Sequence, residues 1–220
     1  MKLITVGTGS KGNCYLLKRD NDRIIALDCG CPWKKVMVAT NFMPTHIDFA
    51  LVTHAHSDHS KYMGDFFKNG IDVYDPSNLT PKTVNKVGDV TFIPFEVPHD
   101  TTCYAYLIQL DGRKIIYMTD FGYCKYTFLS WSIDTWIIAC NHIDLPDEDS
   151  PKYAHVVTGH SSLETVKGIL SVNRHEALKN VILVHYNEGA DTDAMLREVT
   201  EVVGDGVNVT IAKKGEEIVL

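Results

Sequence analysis

The sequence contains no run of about 18 apolar residues, the length that a membrane-spanning helix requires. Met1 is followed directly by the alternating segment Lys2-Leu3-Ile4-Thr5-Val6, which does not have the pattern of a secretory signal peptide. We therefore expect a cytoplasmic protein that does not bind membranes. With 220 residues, of which 45% are hydrophobic, the chain can bury a full core, and we expect residues 1–220 to form a single domain.

Cysteine pairs of the CxxC type are also absent, which argues against a zinc ribbon and against a thioredoxin-type redox centre. The six cysteines are scattered, and we expect most of them to be reduced and to pack as small buried hydrophobic side chains. Cys29-Gly30-Cys31 could form a pair of soft metal ligands, although two cysteines alone do not complete a tetrahedral site.

The sequence has fewer basic than acidic residues. It contains 21 Lys and Arg and 28 Asp and Glu, which gives a net charge of −7. This balance does not favour a general electrostatic attraction to nucleic acid. Bound divalent metal ions could offset part of the acidity.

Short strand-like stretches recur along the chain, rich in β-branched or aromatic residues and bounded by Gly, Pro, Asn or Asp. Asp111-Gly112 predicts a hairpin turn between two of them. Helical patterns alternate with the strands, and this order predicts an α/β sandwich in which helices cover two sheets. The segment Pro146–Pro151 is expected to be an exposed loop.

Three helices are predicted from apolar spacing. The first starts near His59 and ends at Asn69-Gly70. The second follows a capping box formed by Ser161 and Glu164. The third runs through Leu196, Val199 and Val203.

The segment Thr53–His59, with the sequence THAHSDH, places three imidazoles and one carboxylate within six residues. It follows the apolar run Phe49–Val52 and precedes the first predicted helix. We expect His54 and His56 to project from the strand-to-helix turn, and Asp58 and His59 to lie in the first helical turn. Imidazole nitrogen and carboxylate oxygen suit Zn, Mn, Fe or Ni, whereas Cu(I) would favour sulfur.

Four more apolar strands end at a residue that can bind a metal ion or transfer a proton. These residues are His99, Asp120, the pair Asn141-His142, and His185. Because the carboxyl ends of strands in α/β folds converge on one crevice, residues that are distant in sequence can meet there.

This set of motifs resembles the metallo-β-lactamase superfamily over nearly the whole chain. The resemblance implies a four-layer αββα sandwich and two metal ions. By this resemblance, His54, His56 and His99 would hold one ion, Asp58, His59 and His185 the other, and Asp120 would bridge both. Further segments are similar to the YycJ/WalJ group of nuclease-like proteins, which is related to RNase Z; they are Gly7–Cys14, Leu27–Gly30, Thr119–Tyr123, Asn141-His142 and Gly159–Ser161.

Two features depart from that group. Ala139-Cys140 precede Asn141-His142 where the group has an acidic residue, and the segment His185–Ala190 replaces its Ser/Asn-rich tail. These changes leave the proposed ligands in place and leave the identity of the substrate open.

The resulting hypothesis is a dinuclear hydrolase, a phosphodiesterase or nuclease acting on DNA, RNA or a small phosphodiester. Two divalent ions, Zn first and Mn, Fe or Ni as alternatives, would lower the pKa of a bridging water, and the hydroxide would attack phosphorus. His160 is the candidate proton donor, since we expect a following helix N-terminus to lower its pKa. His142 is the alternative donor or orients a ligand, and Asp58 completes the candidate catalytic residues.

Two other functions remain open at this point. The same metal centre could hydrolyse a thioester, a lactone or another small metabolite. A redox module with iron would need a flavin partner, and nothing in the sequence resembles a flavin-binding domain. No protein partner is indicated.

Overall fold

The computed structural model describes residues 1–143 and 159–220, and the chain divides into two compact units. The first unit comprises residues 1–79 and 212–220, and the second comprises residues 80–211. The predicted loop Pro146–Pro151 lies outside the described residues. That residues 1–220 form a single domain stays a prediction.

The first unit contains a six-stranded mixed sheet with the strand order β13-β1-β2-β3-β4-β5. Its strands are β1 (Lys2–Gly7), β2 (Cys14–Lys18), β3 (Ile24–Leu27), β4 (Ile47–Leu51), β5 (Asp72–Tyr74) and β13 (Glu217–Val219). Strands β1, β2, β3 and β13 pair antiparallel, whereas β4 runs parallel to both β3 and β5. The carboxyl ends of β3, β4 and β5 therefore lie at the same edge of this sheet.

Helices in the first unit are short. They are α1 (Trp33–Ala39), a 3-10 turn (Pro44–His46), α2 (Ser57–Ser60) and α3 (Met63–Lys68). The predicted helix between His59 and Asn69-Gly70 is thus split in two. Phe66 of α3 is buried in the core of the unit and meets Trp33 of α1 edge to face, with ring centroids 5.0 Å apart. This contact packs α1 and α3 together.

The second unit contains a seven-stranded mixed sheet with the order β12-β11-β10-β9-β8-β7-β6. Its strands are β6 (Asn85–Val87), β7 (Val90–Val97), β8 (Cys103–Leu110), β9 (Arg113–Met118), β10 (Thr135–Ala139), β11 (Asn180–Val184) and β12 (Asn208–Ile211). Strands β6 to β9 are antiparallel, and β9 to β12 are parallel. The predicted hairpin is confirmed, because Asp111 and Gly112 join β8 to β9 with φ angles of 50° and 73°.

Two helices of the second unit are α4 (Leu163–Val172) and α5 (Thr192–Val203). The third predicted helix is confirmed in α5. The predicted capping box of α4 is wrong, because the N-cap is Ser162, whose side chain accepts a hydrogen bond from the Thr165 N–H. Ser161 is buried one residue earlier and bonds to other parts of the chain.

All six cysteines are free thiols; five are buried, and Cys124 is half-buried. Burial raises the pKa of Cys29 and of Cys31, and it raises the pKa of Cys140 to about 12. Cys29 and Cys31 lie in the apolar core of the first unit, and the Cys31 thiol donates a hydrogen bond to the carbonyl of Gly12. The cysteines are mainly buried apolar groups, as expected.

Within residues 1–143 and 159–220, none of the helices has both the length and the apolar character needed to cross a membrane.

Candidate functional site

In the first unit, the predicted ligand residues follow β4 and surround the short helix α2. His56 is the N-cap of α2, and Asp58 and His59 lie within it. The ring of His54 packs against those of His56 and His59, with centroid distances of 4.7 and 4.2 Å. The fold thus gathers three imidazoles and one carboxylate in this segment.

Asp28 orients His59. The carboxylate of Asp28 is fully buried, and its Oδ2 lies 2.6 Å from Nδ1 of His59. Its Oδ1 accepts hydrogen bonds from the N–H and the hydroxyl of Thr53, at 2.8 and 3.0 Å. With Nδ1 of His59 donating to Asp28, its Nε2 carries the lone pair, and Oδ2 of Asp58 lies 3.4 Å from that nitrogen. Nδ2 of Asn13 contacts the same nitrogen at 3.0 Å, so a cation bound there would replace this amide contact.

The glycine-rich loop Gly7–Asn13 packs against the same segment. Asn13 holds the loop, since its Oδ1 accepts a hydrogen bond from the Gly9 N–H at 2.8 Å. The backbone N–H of Asn13 donates to the carbonyl of Asp58, and its Nδ2 lies 3.0 Å from Nε2 of His59. Asn13 therefore links the glycine-rich loop to the ligand segment, a role that its sequence position did not indicate.

Thr53 connects Asp28 to His54. Its hydroxyl lies 3.0 Å from Oδ1 of Asp28 and 3.0 Å from Nδ1 of His54. A hydroxyl has one proton, so when Thr53 donates to the carboxylate it accepts from Nδ1 of His54. This arrangement assigns the tautomer of His54 that leaves the lone pair of Nε2 for a ligand.

In the second unit, Asp120 and His185 follow the carboxyl ends of the parallel strands β9 and β11. Both are buried, and both have left-handed backbone conformations, with φ angles of 45° and 53°. Nε2 of His185 lies 3.3 Å from Oδ2 of Asp120. Asp120 and His185 thus lie together in this unit, as their positions after the ends of two strands predicted.

Asn141, which follows β10 between those two strands, fixes their positions. Its Nδ2 lies 2.8 Å from Nδ1 of His185 and 3.4 Å from Oδ1 of Asp120. Its Oδ1 accepts a hydrogen bond from the N–H of Ser161 at 2.9 Å, and the Ser161 hydroxyl donates to the carbonyl of Ala139 at 2.6 Å. The buried Ser161 therefore sets which end of the Asn141 amide faces His185.

His160 lies beside the same carboxylate, and His99 lies near the ring of His160. Nδ1 of His160 is 3.6 Å from Oδ1 of Asp120, and its ring centroid is 6.4 Å from that of His99 and 6.2 Å from that of His185. The backbone at Gly159 packs closely against the ring of His99. A Cβ at this position would lie 2.9 Å from Nδ1 of His99, so glycine permits the contact. The predicted role of a helix N-terminus at His160 is weakened, since α4 begins three residues later, at Leu163.

His142 is buried next to Asn141, and its carbonyl accepts a hydrogen bond from the N–H of Leu163 at 2.8 Å. A parallel bridge also pairs His142 with Ser162. This backbone pairing ties the end of β10 to the start of α4.

Comparisons with known proteins agree with this picture. A family model described as the Metallo-beta-lactamase superfamily matches residues 7–71. The exodeoxyribonuclease WalJ of Streptococcus pneumoniae serotype 2 (strain D39 / NCTC 7466) is 26% identical over 169 residues. That match covers 64% of this chain and 62% of the relative, so it spans less than two thirds of the relative's length.

Two solved structures share the fold. The metallo-beta-lactamase fold protein YhfI from Bacillus subtilis aligns with a TM-score of 0.78 and 20% identity, over 99% of this chain and 98% of that chain. Zn(2+)-bound PqqB from Methylobacterium extorquens aligns with a TM-score of 0.70 and 14% identity, over 100% of both chains. The predicted α/β fold class of the metallo-β-lactamase type, with two sheets and few helices, is confirmed.

Gly30 packs so closely against α2 that it offers a test of the ligand segment. A Cβ at this position would lie 1.6 Å from the carbonyl oxygen of Asp58, whereas a Cβ at Gly64 of α3 would meet nothing within 4 Å. We expect Gly30→Ala to lower the free energy of unfolding by about 3 kcal/mol, through overpacking against rigid backbone.

The measurement is urea denaturation followed by circular dichroism. Gly64→Ala is the matched control, and we expect it to stabilise α3 by about 1 kcal/mol or less. Equal stability of the two variants would contradict the packing that we describe.

Proposed function

We propose that this metallo-β-lactamase superfamily protein is a metal-dependent hydrolase that cleaves phosphodiester bonds in DNA or RNA. The observation that carries the proposal is the position of Asp120, whose two carboxylate oxygens lie 3.3 Å from Nε2 of His185 and 3.6 Å from Nδ1 of His160. One carboxylate thus has a candidate metal ligand on one side and a candidate proton donor on the other.

Two sets of residues are the proposed metal ligands. By the resemblance to the superfamily, His54, His56 and His99 would hold one divalent ion, Asp58, His59 and His185 would hold the second, and Asp120 would serve both. The residues fit a metal of the zinc type, because imidazole and carboxylate are its usual ligands when no thiolate takes part. Zn is the proposed ion, in line with the Zn(2+)-bound state of the PqqB structure.

The surrounding hydrogen bonds support this assignment. Asp28 accepts from Nδ1 of His59, and Thr53 can accept from Nδ1 of His54, so Nε2 of each ring is the proposed ligand atom. Partners of this kind raise the basicity of a ligating histidine and fix its orientation. When bound, a pair of divalent ions lowers the pKa of water and stabilises negative charge on a phosphoryl oxygen.

Besides the proposed metal ligands, the protein would supply a proton to the leaving group. His160 is one-fifth exposed and lies beside the buried Asp120, so it can exchange protons with solvent and still reach the site. We propose that His160 donates a proton to the oxygen of the leaving group and that Asp120 holds its ring in place. His142 is the alternative donor or a residue that positions Asn141. Asp58 is proposed to act at the centre as a metal ligand.

Nucleic acid is the proposed substrate because WalJ, the relative at 26% identity, is named an exodeoxyribonuclease. We also propose that residues 1–220 act together as one domain and that the protein works in the cytoplasm.

The test is hydrolysis by zinc-loaded protein of end-labelled single- and double-stranded DNA and RNA and of bis(p-nitrophenyl) phosphate. A thioester and a lactone are the comparison substrates. We expect hydrolysis of the phosphodiesters and little of the thioester or lactone. Rapid thioester or lactone turnover with inert phosphodiesters would instead support the small-metabolite hydrolase.

Metal binding and proton donation should separate in two variants. We expect His56→Ala to lose bound metal and activity together, since it removes a ligand. We expect His160→Ala to keep its metal content and to lose kcat by about 10²- to 10⁴-fold, the range for removal of a general acid. The measurements are elemental analysis and steady-state kinetics on the same preparations.

His46→Ala is the matched control, since His46 lies in the 3-10 turn before β4. Full turnover by His160→Ala would show that His160 is not the proton donor.

A further inference from the structure

A basic and aromatic surface adjoins the proposed site in the second unit. The ammonium groups of Lys82 and Lys125 lie 5.3 and 5.4 Å from the ring centroid of Tyr126. Both lysines are exposed, and neither forms an ion pair with any residue that the structure describes. Two cations therefore share one aromatic ring without a direct ion pair to a carboxylate of the described residues, an arrangement that an added anion would stabilise.

Tyr126 is anchored to the core by a column of aromatic rings. Its ring meets that of Phe95 at 5.3 Å, and Phe95 meets Phe128 at 5.1 Å. Phe128, which is buried, meets the buried Trp136 at 5.7 Å. A ring held in this way loses little conformational entropy when a flat ligand stacks on it.

Lys82 is also held by its backbone. It has a left-handed conformation with a φ angle of 64°, and its N–H donates to the carbonyl of Pro94 at 2.7 Å, next to Phe95. A lysine in this conformation is uncommon, and here it places the side chain over Tyr126.

Lys125 connects this surface to the proposed catalytic residues. It lines a cavity of about 480 Å³ together with His99, Thr101 and Thr102. The N–H of Gly122 donates to the carbonyl of Pro98 at 3.0 Å, which ties the loop after β9 to the loop that carries His99. Lys125 thus both lines the cavity beside His99 and contacts the ring of Tyr126.

We propose that Lys82, Lys125 and Tyr126 form a binding surface for single-stranded nucleic acid, which would extend from the bond to be cleaved. The lysines would contact phosphates, and the exposed face of Tyr126 would stack on a base. Cationic side chains beside aromatic rings are the usual means of binding single strands without sequence preference. The surface also explains how a chain with a net charge of −7 can bind a polyanion locally.

This inference rests on the proposed function, because it assigns the polymer to the same site. Glu96 and Asp100 also line the cavity, and their negative charge limits the extent of the positive surface. The phosphate contacts are therefore assigned to the two lysines rather than to the whole cavity.

The test measures binding of a fluorescein-labelled thymidine 20-mer with phosphorothioate linkages to zinc-loaded protein, by anisotropy across a salt series. We expect Lys82→Ala and Lys125→Ala each to weaken binding about fivefold and to reduce the slope of log K against log salt by about 0.7, the value for one phosphate contact on a single strand. Lys179→Ala is the matched control, because Lys179 is exposed and precedes β11 at the opposite end from His185.

Stacking is tested with two variants of Tyr126. We expect Tyr126→Leu to weaken binding at least about fivefold and Tyr126→Phe to restore it, since the ring and not the hydroxyl would stack. If the lysine and Tyr126 variants bind as tightly as Lys179→Ala, with the same salt slope, the surface does not bind the strand.

Hydrolysis of bis(p-nitrophenyl) phosphate by the unaltered protein tests the proposed function separately. Absence of that hydrolysis would overturn the proposed function alone, since the binding comparison would still decide whether the surface exists. Retained hydrolysis with unchanged binding by the variants would overturn only the surface.

Discussion

The hydrogen bond between Asp28 and His59 joins two side chains that are both fully buried, and its Oδ2–Nδ1 distance is 2.6 Å. A buried carboxylate is costly unless it is paired and hydrogen-bonded, and here Thr53 supplies two further donors. The position of the His59 ring, the orientation of α2 and the presentation of Asp58 all depend on this pair.

Left-handed backbone recurs at the ends of strands. Asp28 follows β3, Asp120 follows β9 and His185 follows β11, with φ angles of 61°, 45° and 53°. Such conformations cost about 1–3 kcal/mol each in residues other than glycine and persist where surrounding contacts over-determine them. Those contacts come from Thr53 and His59 around Asp28, and from Asn141 around the other two. The fold therefore stores strain at the residues that the proposed chemistry uses.

Local patterns predicted much of this arrangement, because each depends on a few adjacent residues. The THAHSDH segment, the Asp111-Gly112 hairpin and the strands that lead to Asp120 and His185 are all visible in the sequence. The three-residue strands β5, β6 and β13 were not predicted, since three residues show no alternating pattern.

Roles that depend on distant contacts could not be predicted either. Ser161 fits a capping box by sequence, but it bonds to Asn141, 20 residues away, and Ser162 becomes the cap. Asn13 reaches His59 across 46 positions. Nothing in the local sequence distinguishes such an asparagine from one in an ordinary loop, and its role emerges only when tertiary packing brings the two segments together.

We propose that the histidine and aspartate sets hold two divalent ions and that Asp120 serves both. The most direct measurement is the zinc content, by mass spectrometry, of purified protein and of Asp120→Ala after dialysis against the same zinc buffer. We predict about two ions per chain for the unaltered protein and fewer than one for Asp120→Ala, because loss of a shared ligand weakens both positions. A metal content near zero in the unaltered protein, or an equal content in both, would contradict the account.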